Sequence, residues 1–335
     1  MSSRVVIPII VVMIAAVVAV SGCVIQDIIP SVSVVSTAVT TENVGPTSPV
    51  LFGRAFTFPE TSVIPENEVR LFIPINDVEK DPLKDATEVK IDLYDKFLFD
   101  VEEGPDICGE NAPCTMVPGS ERQVRYVLTA PTEDQIANVI TTAELYYRLN
   151  YDYKSSTNFE VFAITQDEIL KLQQSGERVS AALAEKRSSG PIRIDIEAGE
   201  RYFIKDQKSA SIIFTILDDG NGALKDSRIG QGRIVIRFPK GLATSVTSDE
   251  QRGGSGCSED FSCSNNGDYW ECVNNNCIEI FKTKSSPIRF QLEGVGNALD
   301  DDQPHQKYLI TSTIDYTYEI RGKTQIEINP HTSLG

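Results

Sequence analysis

Seven cysteines are the residues of this chain best able to do chemistry, and their spacing narrows what that chemistry is. Six fall into local pairs: Cys108 with Cys114, Cys257 with Cys263, and Cys272 with Cys277. A zinc ribbon holds its metal with closely spaced Cys-x-x-Cys pairs and often draws on histidine. These pairs lack the two-residue gap, and no histidine lies near them. Disulfides formed in an oxidising compartment are therefore expected. Pairing by neighbourhood is the simplest arrangement; its main rival joins Cys257 to Cys277 and Cys263 to Cys272.

Other reactive patterns are scarce. The chain has only two histidines, His305 and His331, and no Gly-x-Ser-x-Gly, His-Glu-x-x-His or phosphate-cradling glycine loop. No enzyme is expected, and an acid–base hydrolase built on the many carboxylates is the remote alternative. Asp218, Asp219 and Asn221, with Asp300, Asp301 and Asp302, could offer oxygen ligands to calcium, but their spacing is not that of an EF-hand. Solvated polar loops are the simpler reading, and neither metal nor cofactor is expected. Glu110 and Glu259 sit at matching places in two cysteine loops and suit hydrogen bonds to loop amides. Trp270, the only tryptophan, is the candidate contact for a partner, against packing within its own loop. Tyr146, Tyr147, Tyr151 and Tyr153, and likewise Tyr308, Tyr316 and Tyr318, suit packing of a sheet face better than a sugar platform.

The seventh cysteine has a different setting. Arg4 precedes sixteen uncharged residues, Val5 to Val20, and Ser21, Gly22 and Cys23 follow. That is the order of a secretory signal. Val20-Ser21-Gly22-Cys23 resembles the lipobox of prokaryotic lipoproteins, and the resemblance implies cleavage before Cys23 and its lipidation. An uncleaved hydrophobic anchor helix and plain secretion are the alternatives. Each puts the rest of the chain outside the cytoplasm, with the membrane as a partner in the first two. Residues 23–50 carry Ser, Thr, Val and Pro with little charge and read as an extended tether.

Composition agrees with export more than with nucleic-acid work. With 48 acidic and 31 basic residues the net charge is −17, and no concentrated basic face offers itself to phosphates. A hydrophobic fraction of 41% over 335 residues suffices for two ordinary cores.

The elements that must position these residues repeat. Val69–Asp77 matches Ser211–Asp219, Val89–Asp95 matches Ile234–Lys240, and Cys108–Cys114 matches Cys257–Cys263. Val124–Leu128 matches Ile288–Leu292, and Leu149–Tyr153 matches Ile314–Tyr318. Residues 264–280 stand as an insertion in the second copy. Period-two alternation, as in Leu71, Ile73 and Ile75 or Val89, Ile91 and Leu93, marks half-buried strands. Between the copies, Thr165-Gln-Asp-Glu168 forms a capping box ahead of near-helical apolar spacing, predicting one or two helical segments over 166–186, with Gly176 as the place of a break.

Pro65-Glu66-Asn67-Glu68 leads into Val69–Ile75, and Ala86-Thr87-Glu88 into Val89–Tyr94. In the second copy Lys205-Asp206-Gln207-Lys208 leads into Ser211–Leu217 and then Ile234–Phe238. This order resembles the immunoglobulin-like modules, of the cell-adhesion-related type, found in prokaryotic surface and surface-layer proteins. The resemblance implies structural or adhesive modules in tandem on an anchored chain. The expected architecture is all-β: a signal or anchor at 1–22, a tether at 23–50, β-sandwiches at 51–164 and 190–330, and a helical linker at 165–189. The second sandwich carries a disulfide-bearing insertion at 257–280. The expected role is display at the cell surface to a protein or envelope partner, with binding of a small solute or glycan as the alternative.

Overall fold

The computed structural model describes residues 41–42, 48–60, 62–79, 86–176, 185–198, 202–249, 256–296, 299 and 303–330. The signal segment, Cys23, most of the tether, Asp300, Asp301, Asp302 and His331 lie outside the described residues. Among the described residues no helix is long and apolar enough to cross a membrane.

Alternating sequence becomes strand with alternating burial. The first half comprises β1 (Val50–Phe52), β2 (Glu68–Asp77), β3 (Thr87–Asp95), β4 (Asp100–Glu103), β5 (Cys114–Met116), β6 (Glu121–Thr129) and β7 (Thr141–Ile164), and outside the exposed β4 most inward positions are apolar. Strand β2, for example, buries Val69, Leu71, Ile73 and Ile75 against Val124, Tyr126 and Leu128 of β6. The second half comprises β8 (Glu185–Arg187), β9 (Ile192–Ala198), β10 (Gln207–Asp218), β11 (Ile234–Pro239), β12 (Ser245–Ser248), β13 (Phe261–Asn266), β14 (Tyr269–Asn274), β15 (Ile288–Val295) and β16 (His305–Ile328).

Both halves use the same pairing. One sheet runs β1-β2-β6-β4 and another β9-β10-β15-β12. Facing them, β3 pairs with β7 in the first half and β11 with β16 in the second. Strands β7 and β16 then pair with each other, antiparallel, over their full 24 residues. At 3.3–3.4 Å per residue this ladder is ~80 Å in contour. It merges the two facing sheets, and the buried apolar residues of both halves form one continuous core. The outer edge strand β4, Asp-Val-Glu-Glu, is exposed throughout, and its acidic side chains discourage further strand pairing there.

Set against the expected repeat, the strand pairings give a different register. Leu71 pairs with Tyr126, and Ile212 with Phe290. With Tyr126 matched to Phe290, the counterpart of Leu71 is Ile212, so the first block shifts by one residue and Val69 answers to Ala210. A slip of one exchanges the two faces of a strand, and burial of Ala210, Ile212, Phe214 and Ile216 selects the shifted match. The second block slides by two, which keeps the face: Ile91 lies opposite Leu149 and Ile234 opposite Ile314.

Two expected boundaries also move. Ser48 and Val50, assigned to the tether, are buried in the first half, and the Ser48 hydroxyl lies 2.7 Å from that of Tyr151. Of the span 166–186, the first helical segment is α1 (Gln166–Ser175), capped by Thr165, which accepts the Glu168 N–H at 3.3 Å, and residues 177–184 lie outside the described residues. Gly176 ends α1 in the left-handed conformation (φ 72°), as a glycine terminus does. Glu185 and Lys186, expected in helix, belong to β8 on the flank of β7, where the backbone pairing of Asn158 and Phe159 overrides helical spacing. Helix α1 rests Ile169 and Leu172 against Ile164, Phe162, Tyr202 and Ile204, a small core apart from the main one.

Candidate functional site

The β7–β16 ladder has two faces, and each gathers polar groups of a different kind. On the inner face Tyr151 lies opposite Tyr318 and Tyr153 opposite Tyr316. Neighbouring rings in this square are 5.8–6.4 Å apart between centroids. Their hydroxyls are all engaged, as buried tyrosines require. Tyr318 donates to Asp218 Oδ1 at 2.9 Å and accepts the Gly222 N–H at 3.1 Å. Tyr153 donates to Glu79 Oε2 at 2.9 Å, and Ser189 bonds the same carboxylate. The Tyr316 hydroxyl lies 2.8 Å from that of Ser155. Burial pushes the phenols of Tyr151, Tyr153, Tyr316 and Tyr318 up, so the square is neutral at ordinary pH. Gly220 makes room for it, since a Cβ there would stand 2.0 Å from the Tyr318 hydroxyl.

Carboxylates ring this square, and their titration has a sign. Burial raises Asp77 and Asp218 above the ordinary carboxylate value, against the N–H of Glu79 on Asp77 and the Tyr318 hydroxyl on Asp218. Burial also raises Glu185, against its ion pair with Arg187 at 2.6 Å. A raised folded-state value means the folded chain holds its proton more tightly than the unfolded chain. The stabilisation is complete below the unfolded value near 4 and is lost as pH climbs through the raised folded value. Exposed Glu144, brought to about 2 by hydrogen bonds from Lys323, Tyr146 and Gln325, stays ionised across that window. The melting temperature is therefore expected to rise as pH falls from neutrality toward about 4, and Asp218→Asn should flatten the slope. Circular dichroism melts across this range check it; a melting temperature that climbs toward neutral pH in the native chain contradicts it.

The outer face is an open polar surface. Asp152 lies opposite Thr317, whose hydroxyl donates to it at 2.5 Å, and Lys154 opposite Asp315, 3.8 Å away as an ion pair. Beside these rungs the start of β3 and the segment from Lys225 to Arg233 enclose a cleft of about 770 Å³. An adjoining hollow of about 380 Å³ shares Asp152, Lys225 and Thr317 with it. Lys225, Arg228 and Arg233 on the cleft wall are exposed, and none pairs with a described carboxylate.

The residues singled out in sequence fare differently. Cys108 is bonded to Cys114 as expected, with Cα atoms 4.4 Å apart. In the second half the neighbour pairing is overturned: Cys263 bonds Cys272 and Cys257 bonds Cys277. The hairpin β13–β14 sets Cys263 and Cys272 directly opposite each other, Cα atoms 4.0 Å apart, which neighbour pairing would forbid. The match of the two cysteine loops therefore does not extend to their bonds. Trp270 is half-buried against the main core, its indole N–H donating to the Ala243 carbonyl at 3.2 Å. Glu259 is buried and Glu110 exposed.

Asp219 pairs with Arg193 and Asp218 accepts from Tyr318, while Asn221 is exposed. Among the described residues no group of three histidine, cysteine or acidic side chains could hold a metal. Tyr147, Tyr151, Tyr308, Tyr316 and Tyr318 are buried in the sandwich, while Tyr146 lies toward solvent beside Tyr94. Sequence reading missed the basic wall of the cleft, because Lys225, Arg228 and Arg233 look like isolated surface charges until β11 and β16 bring them beside Lys154.

Fold and cross-links define a disulfide-bonded, all-β protein of sandwich character. Three closed disulfides fit an oxidising, extracytoplasmic setting. Models of known protein families return no match to the chain, and no curated protein matches its sequence.

Proposed function

We infer that this chain is a membrane-anchored cell-surface protein that displays two duplicated immunoglobulin-like modules and carries out no catalysis. The observation that carries the reading is the β7–β16 ladder. A shared 24-residue pairing and a single core make the two halves one stiff body, suited to holding loops away from a surface. In the matched repeat, the first tyrosine of each copy lies opposite the second tyrosine of the other, Tyr151 with Tyr318 and Tyr316 with Tyr153. That reciprocity supports a duplication whose copies associate about a local two-fold relation. The lipobox-like Val20-Ser21-Gly22-Cys23 supports the anchor, and a diacyl group would be needed for stable attachment.

Mass spectrometry of protein from its native membrane tests this directly. The expected N-terminal peptide begins at lipidated Cys23, and protease added to intact cells removes the chain. Recovery of the chain in the cytosol with residues 1–22 intact would sink the reading. A second reading, an extracytoplasmic binding protein for a small solute or glycan, draws support from the polar cleft.

A further inference from the structure

The cleft on the outer face of the ladder has a composition that selects among ligands. Its volume of about 770 Å³ lies in the range of small-molecule sites. In a chain of net charge −17, it collects Lys225, Arg228 and Arg233 without carboxylate partners among the described residues. Lys225 and Arg228 flank a tight turn in which Asp226 (φ 60°) and Ser227 (φ 55°) are both left-handed, a conformation that non-glycine residues rarely adopt in succession. That turn carries both cations onto the same wall.

The rest of the lining accepts hydrogen bonds. Asp152, Asp226 and Asp315 stand among the cations, with the Ser156 hydroxyl beside them. A polyphosphate would be repelled by three carboxylates in its site, and a neutral sugar would leave three cations unanswered. A ligand with one negative charge among several hydroxyls satisfies both sets.

We propose that this cleft binds an acidic, uronate-type saccharide, its carboxylate held by Lys225, Arg228 and Arg233 and its hydroxyls donating to Asp152 and Asp315. The proposal rests on the second reading of function and is independent of the anchor, so failure to find lipid at Cys23 leaves it standing.

The probe is galacturonate, a monosaccharide with one carboxylate, titrated calorimetrically into the disulfide-intact chain, with the uncharged methyl ester of the same sugar beside it. Saturable binding is expected, weakened by added salt and at least about tenfold weaker for the ester, since hydrogen bonds to charged groups are the strong ones. The double variant Arg228→Ala/Arg233→Ala should lose at least about tenfold in affinity. Both side chains are exposed, so its melting curve should match the native one. Lys282→Ala, on an exposed loop over Phe281, should bind as the native chain does. Absence of saturable binding, equal binding of the ester, or native affinity in the double variant would each overturn the proposal. Binding only to anionic phosphatidylglycerol vesicles, abolished by the double variant, would overturn it too and assign the cations to a lipid surface.

Discussion

Reducing the three disulfides is expected to remove about 7–8 kcal/mol of stability in total. The bonded cysteines are separated by 6, 9 and 20 residues. Loop-closure entropy assigns bonds of these spans roughly 2–3 kcal/mol each, the longest contributing most. Whole domains are stable by only about 5–15 kcal/mol. Two of the three bonds secure the β13–β14 hairpin and its base, so the second half should open first. Urea unfolding with and without reductant measures the loss, and Cys257→Ala/Cys277→Ala isolates about 3 kcal/mol of it. Peptide mapping without reduction should recover Cys257 joined to Cys277 and Cys263 joined to Cys272. An unchanged urea midpoint in reductant, or a Cys257–Cys263 peptide, would show these cross-links to be wrongly assigned.

Phe290→Ala should cost about 3–5 kcal/mol, the usual range for emptying a buried phenylalanine site. Phe290 is fully buried at the centre of an aromatic cluster. Phe214, Phe238 and Phe261 surround it with ring centroids 5.2, 5.3 and 5.2 Å away, so the vacated space has rigid walls that cannot collapse into it. These rings come from β10, β11, β13 and β15, and the site therefore ties both sheets of the second half together. Phe281, exposed at 72%, is the control: its truncation to alanine should change stability by no more than about 0.5 kcal/mol. Denaturant unfolding followed by tryptophan fluorescence reads both, since Trp270 packs on the same core. A Phe290→Ala midpoint equal to that of Phe281→Ala would mean the cluster is not the keystone of this half.

The all-β class and the strand content of both halves were legible because a pleated strand exposes alternate residues to opposite faces, and the apolar residues of Val69–Ile75 and Ile288–Leu292 follow that period. The capping box of α1 was legible for a similar local reason: Thr165 and the Glu168 N–H lie within one helical turn. What is local in the chain is written in its spacing. Register was not, since a match between β2 and β10 displaced by one residue scores almost as well in letters, and only burial of Ile212 and Phe214 on one face distinguishes them.

Sequence by itself determined that six cysteines would close into disulfides, that strands would dominate the chain, and that buried tyrosines would line the sheet. Tertiary structure decided which cysteines met, that the halves would share one ladder and one core, and that Lys225, Arg228 and Arg233 would face Lys154 across a cleft. The reason is distance along the chain. Cross-strand pairing joins residues such as Tyr151 and Tyr318, separated by more than half of the described chain, and no periodicity within either segment records which partner it will find.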